Sequence, residues 1–296
     1  MIIHTTDISP SVRNFWELLK PRVMSLVIFT GFCGLWIAPG HIHPVLGFTA
    51  ILCIAGGAGA AGCLNMWYER DIDKRMTRTM ARPTASGLIH PDSALAFGVI
   101  LSILSVTVCQ VAVNTTAAAL LALTIGFYIG VYTVLLKPNT PHNIVIGGIA
   151  GALPPVIGWA AVSPLDWRPW SLFLIIFLWT PAHFWALALN YAAEYAEAGL
   201  PMMPNTAGIK KTKIYIIIYA VLTVVSAIIP YVLGMAGWLY LGCTLVFGAG
   251  FVFLTVKLYK SEDLREGLRV FAFSILYLFV IFAALIADRK IYGQTL

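Results

Sequence analysis

Nine stretches of this chain lack Asp, Glu, Lys and Arg: residues 23–38, 44–66, 94–113, 115–136, 144–163, 169–190, 214–234, 236–256 and 270–287. A helix rises about 1.5 Å per residue, so ~20 apolar residues cross the ~30 Å hydrocarbon core of a bilayer. Inside that core each backbone N–H and C=O must find a partner within the protein, which leaves helices or a closed barrel. Continuous apolar runs of this length select helices. The expected fold is therefore an all-α integral membrane protein, a single domain over residues 1–296 with nine transmembrane helices around a central cavity. Only 11% of the residues are charged and mean hydropathy is +0.85, against about 25% charged in soluble domains. The first stretch is the shortest, and its amphipathic lead, Phe15 to Leu19, suits a segment lying along the interface before the chain turns inward.

Basic residues set the orientation, because Lys and Arg concentrate in cytoplasmic loops. With the N-terminus inside, only Arg168, Arg289 and Lys290 of the 19 Lys and Arg residues fall outside. The N-terminus, with residues 1–22 as a cytoplasmic segment, is thus expected inside and the C-terminus outside. The net charge of +6 sits beside membrane spans, where anionic lipid and a diphosphate explain it better than nucleic acid does. Cys33, Cys53, Cys63, Cys109 and Cys243 fall inside spans without Cys-x-x-Cys spacing, which predicts buried apolar thiols rather than disulfides or metal ligands.

Charge erupts where the second stretch ends. Asn65, Glu69 and Asp73 are four residues apart, so a continuing helix projects all three from one face. Two carboxylates and an amide oxygen suit a hard cation, and magnesium takes such sites when a substrate phosphate completes its shell. Lys74, Arg75, Arg78 and Arg82 follow, residue types that grip phosphate oxygens. A basic loop that only fixes orientation would account for the charges but not for the spacing. The sixth stretch ends on Asn190 with Glu194 beyond it, repeating the Asn-x-x-x-Glu of Asn65 and Glu69 and suggesting a second acidic face across a cavity.

Other features point to the same end. Lys137 is a lone lysine at the mouth of the fourth span, placed either to snorkel or to touch a diphosphate. His183 precedes Glu194 by eleven residues, about 16 Å deeper on a continuous helix, where a polar ring is a functional candidate. The run Gly56 to Gly62 contains a formal Gly-x-Gly-x-x-Gly, but in a membrane helix small residues let neighbours approach closely and no dinucleotide site is expected. Pro154-Pro155 should kink or break the fifth span, and Gly199 to Pro204 forms a turn-rich inner loop. Two acidic faces around a diphosphate, opening into an apolar cavity, suit ionisation of an allylic diphosphate. Metal, Arg and Lys would stabilise the leaving group, and aromatic rings of the fourth to sixth spans the cation.

These residues resemble the UbiA superfamily of intramembrane prenyltransferases and, within it, the haem-farnesylating branch, the protohaem IX farnesyltransferases or haem O synthases. The resemblance rests on Leu19-Lys20-Pro21-Arg22, Asn65 to Asp73, Arg78 through Arg82-Pro83, Asn143 to Gly148 with Pro154-Pro155-Val156-Ile157-Gly158-Trp159, Thr180-Pro181-Ala182-His183-Phe184-Trp185, and Gly199 to Pro204. It implies transfer of the farnesyl group of farnesyl diphosphate to a vinyl group of haem b, with addition of water, giving haem O and diphosphate. By position, Asn65, Glu69, Asp73 and Glu194 would organise Mg2+. Arg78, Arg82 and Lys137, together with Lys20 or Arg22, would hold diphosphate, and His183 would face the haem as a contact or an iron ligand. The resemblance also implies a bacterial cytoplasmic (inner) membrane with the site on the cytoplasmic side, and as partners the next enzyme of haem A synthesis or a terminal oxidase assembly. Glu69 and Glu194 stand where the branch usually has aspartate, and Pro138 follows Lys137 where a second base is common, which leaves the metal ligation open. Two rivals remain: a prenyltransferase acting on an aromatic quinone precursor such as 4-hydroxybenzoate, and a transporter or haem-binding membrane protein with broken helices.

Overall fold

The computed structural model describes residues 11–292, with side chains described as far as Arg289. The first ten residues of the expected N-terminal segment and the Lys290 side chain lie outside them. The described residues are helical, with no strand among them. The longer elements are α1 (Val12–Leu18), α2 (Pro21–Ile37), α3 (Pro44–Asp73), α4 (Pro91–Ala112) and α5 (Thr115–Leu136). Then come α6 (Asn143–Ala152), α7 (Pro154–Ala160), α8 (Arg168–Ala188), α9 (Ala192–Glu197), the single turn α10 (Met203–Thr206), α11 (Ile209–Ser226), the single turn α12 (Ile229–Val232), α13 (Trp238–Lys260) and α14 (Glu266–Tyr292). Eight spans among the described residues are long and apolar enough to cross a membrane; α1 and α2, bent by 57°, supply the ninth if counted as one. The amphipathic lead expected ahead of the first span is thus α1, a short helix set at an angle to α2.

Local chemistry sets the bend. Pro21 begins α2, a place where its missing N–H costs nothing, and it disfavours right-handed helical geometry at Lys20. Lys20 instead takes φ 54°, the only positive φ outside glycine among the described residues. Pro154 and Pro155 interrupt the fifth span between α6 and α7 as expected. The sixth span departs from expectation: α8 stops at Ala188, and a 3-10 turn at Leu189–Tyr191 precedes α9. Asn190 therefore does not lie one α-helical turn from Glu194. Its Nδ2 donates back to Ala186 O at 3.3 Å, so the Asn190–Glu194 pair does not reproduce the Asn65–Glu69 face.

Large apolar side chains such as Ile100 and Ile103 on α4 and Val246 and Phe253 on α13 point outward, as lipid-facing helices require. Inside, one apolar cluster joins α2, α7, α8, α11, α13 and α14 around Trp159, Trp185, Phe251 and Phe282. A second joins α3, α4, α5 and α7 around Ile54, Leu121 and Ile157. Cys33, Cys53, Cys63 and Cys109 are free and buried in this packing, as the sequence predicts, and Cys243 is free and half-buried. α2 and α7 approach closely, since a Cβ on Gly34 would lie 1.9 Å from Pro155 O and one on Gly158 2.0 Å from Gly31 O. The glycines of α3 behave differently from expectation. At Gly56 and Gly57 the space is filled by side chains, Ser105 Oγ and Leu121, and only at Gly62 does a neighbouring backbone atom, Leu19 O, lie against the glycine.

Candidate active site

The C-terminal ends of α3 and α5, the first turn of α9 and the N-terminal end of α2 carry the charged residues of the candidate site. Asn65, Glu69 and Asp73, on the last turns of α3, are each 2% exposed. As the four-residue spacing predicts, they share one helix face. Each accepts from a different cation: Asn65 Oδ1 from Lys20 Nζ at 2.5 Å, Glu69 Oε1 from Lys137 Nζ at 2.5 Å, and Asp73 Oδ1 and Oδ2 from Arg82 at 2.9 and 2.8 Å. Lys20, Glu69, Asp73, Arg82 and Lys137 are electrostatic neighbours. Buried ion pairs contribute little net stability, because desolvation offsets attraction, so two such pairs beside a lysine held only by a neutral amide are better explained by a ligand they serve.

The second half of the site comes from α9 and the segment after α3. Glu194 Oε1 accepts from Thr77 Oγ1 at 2.6 Å, while Glu194 Oε2 is buried without a partner. Arg78 reaches Tyr195 OH at 3.4 Å and lies 5.6 Å from the Tyr191 ring centroid, a cation–π contact. Tyr132 is within electrostatic reach of Glu69 on one side and of Tyr195 and Arg78 on the other, tying the halves together. Arg22 is exposed, and its backbone carbonyl accepts from Ser25; Lys20, not Arg22, joins the cluster. Among the described residues no three Asp, Glu, His or Cys side chains come close enough to hold a metal by themselves. The oxygen-only donor set and the orphaned Glu194 Oε2 nevertheless fit a hard divalent cation that completes its shell with phosphate and water.

Thr133, Thr77 and Tyr195 were not singled out by the sequence, since a hydroxyl in an apolar or loop segment carries no charge signal. Thr133 belongs to a π-helical segment, Phe127–Leu136, that closes α5; its hydroxyl accepts from Asn65 Nδ2 at 3.0 Å. Such widened turns are rare and favour functional positions.

An apolar cavity of about 130 Å³ begins at Lys20 and is lined by Val27, Gly57, Leu121, Gly151 and Ile157 from α2, α3, α5, α6 and α7. His183 lies on the other side, between α8 and α14. Its ring is sandwiched between Trp179 (4.0 Å) and Phe271 (4.3 Å), and Nδ1 is 2.7 Å from Ser274 Oγ. With both faces covered, only the ring edge remains for a ligand.

A model of the UbiA prenyltransferase family matches residues 27–283. The chain belongs to this family. It is 55% identical over 286 residues to a protoheme IX farnesyltransferase of Rhizobium meliloti strain 1021, covering 95% of this chain and 90% of the relative. To the protoheme IX farnesyltransferase of Parvibaculum lavamentivorans strain DS-1 it is 52% identical, over the same shares of each. Among solved structures, a digeranylgeranylglyceryl phosphate synthase superposes with a TM-score of 0.77 at 20% identity, covering 94% of this chain and 98% of that one. A UbiA homologue from Archaeoglobus fulgidus bound to DMAPP and Mg2+ superposes at 0.65 and 17% identity, covering 91% and 99%. At these identities the structures establish the UbiA fold of the chain.

Proposed function

We propose that this UbiA-family protein transfers the farnesyl group of farnesyl diphosphate to a vinyl carbon of haem b, with water adding to the neighbouring carbon, to give haem O and diphosphate. The observation that carries this reading is the row of three cations held by Asn65, Glu69 and Asp73 at one end of the bundle, beside an apolar cavity. The names of the relatives support farnesyl diphosphate and haem as the substrates.

Asn65, Glu69, Asp73 and Glu194 would hold Mg2+, which supplies positive charge to the departing diphosphate. Lys20, Arg82 and Lys137 would exchange their present carboxylate and amide partners for phosphate oxygens, with Arg78 approaching from the α9 side. The apolar cavity, about 130 Å³, would take the first part of the farnesyl chain and keep water from the allylic cation, with the Tyr128 ring, which lines it, facing that charge and Tyr132 5.2 Å behind. The His183 edge would meet the haem, so His183→Ala is expected to change the absorption spectrum of bound haem b; an unchanged spectrum would leave the ring a packing role only.

The reaction is tested by mass spectrometry after incubating the purified protein with Mg2+, farnesyl diphosphate, haem b and 4-hydroxybenzoate together. A haem heavier by a farnesyl group plus a hydroxyl, the water's second hydrogen leaving as a proton, is the expected product. Prenylated benzoate would move the chain to a quinone-precursor acceptor, and a folded sample that makes no product would favour transport or haem binding.

A further inference from the structure

We infer that Thr133 is a positioning residue for the diphosphate site: its hydroxyl sets which way round the Asn65 amide sits, so that the Asn65 oxygen faces the charged cluster. The inference rests on the reading above, in which Asn65 helps to hold Mg2+.

The geometry is over-determined from both sides. Thr133 is 1% exposed, and its hydroxyl donates to Tyr128 O at 2.9 Å. A hydroxyl has one proton, so toward Asn65 it can only accept. Only the NH2 end of the amide can satisfy it, and Nδ2 is the atom found there, at 3.0 Å. At the other end Lys20 Nζ can only donate, and it meets Oδ1 at 2.5 Å. The two ends of an amide are nearly isosteric, so their order is fixed by such partners alone.

The backbone of α5 is what makes Thr133 available for this. Thr124, Thr180, Thr212 and Thr223 all donate to the carbonyl four residues back, the usual helical arrangement. Thr133 donates five residues back, inside the π-helical segment. The same widened pitch closes with Lys137 N donating to Tyr132 O at 2.9 Å. The segment thus places Thr133 on Asn65 and Lys137 on Glu69 from one helix end. Without the Thr133 hydroxyl, Nδ2 would lose its acceptor, and once Lys20 turned from Oδ1 to a phosphate oxygen no protein group would hold the order of the amide's two ends.

The test is a Mg2+ titration of the full chain in nanodiscs, read both by farnesyl transfer and by calorimetric binding of a non-hydrolysable farnesyl diphosphonate, comparing wild type, Thr133→Val, Thr133→Ser, Asn65→Asp and the Asn65→Asp/Thr133→Val double variant. Loss of an outer partner costs about 10–100-fold in metal affinity, so Thr133→Val should raise the Mg2+ concentration for half-maximal rate about tenfold or more. Thr133→Ser should titrate close to wild type. In the Asn65→Asp background both ends of the side chain are oxygens, so Thr133→Val should cause no further shift. Thr133→Ala is carried alongside and serves if Thr133→Val fails to fold. A Thr133→Val protein with the wild-type Mg2+ midpoint, or a shift that persists undiminished in Asn65→Asp, would overturn the inference while leaving the proposed function standing. A wild type that shows no Mg2+-dependent transfer would overturn both.

Discussion

At the scale of single residues, the Glu69–Lys137 contact shows how function and stability separate. Both side chains are largely buried, 3% and 16% exposed, with Oε1 and Nζ 2.5 Å apart. Removing one member of a buried pair leaves an uncompensated charge and costs about 3–5 kcal/mol, whereas replacing both with apolar groups of similar volume is often neutral or stabilising. Lys137→Met is therefore expected to lower thermal stability in detergent by about that amount and to abolish turnover. Adding Glu69→Met should restore stability without restoring activity. Unfolding curves and diphosphate release check both halves, and a Lys137→Met protein as stable as wild type would contradict the pairing. The acids of this site were legible, because spacing of four on a helix needs no tertiary information. The choice between Lys20 and Arg22 was not, since it depends on the left-handed φ at Lys20. Thr133 and Thr77 were invisible for a different reason: their roles depend on which neighbour each hydroxyl meets.

At the scale of helices, the apolar runs located the spans to within a few residues, because the bilayer demands a fixed length of uncharged helix. The sequence did not locate the breaks that shape the site. Pro154-Pro155 announced one, but no proline marks the 3-10 turn at Leu189–Tyr191 or the π-helical end of α5, where the backbone pattern follows contacts with other helices. Gly267 of α14 is one such contact, since a Cβ there would lie 2.4 Å from Ala186 O. The α2–α7 crossing offers the clearest packing test. Gly158→Ala would put a methyl 2.0 Å from the Gly31 carbonyl oxygen, and overpacking of this kind costs about 1–3 kcal/mol or more. Gly242→Ala on α13, with no atom within 4 Å of the added Cβ, should be neutral or stabilising by up to about 1 kcal/mol through helix propensity. Thermal unfolding of the two variants should order them accordingly; equal melting would show that α2 and α7 can separate freely.

At the scale of the molecule, the candidate site gathers at one end of the bundle and large apolar side chains cover the flanks. The excess of basic residues in the segments on that side predicts that this end faces the cytoplasm. In intact cells a cysteine at His43, exposed before α3, should react with an impermeant thiol reagent added outside, while one at Ser86, exposed after the acidic motif, should not. The reverse labelling would invert the topology. The central claim is that the α3 acids and the cations paired with them form one Mg2+–diphosphate site. Its most direct test is calorimetric binding of a non-hydrolysable farnesyl diphosphonate to the wild type and to Asp73→Asn, with Mg2+ and with chelator. Binding should require Mg2+ and weaken about tenfold or more in Asp73→Asn; equal affinity with chelator, or in the variant, would contradict the account.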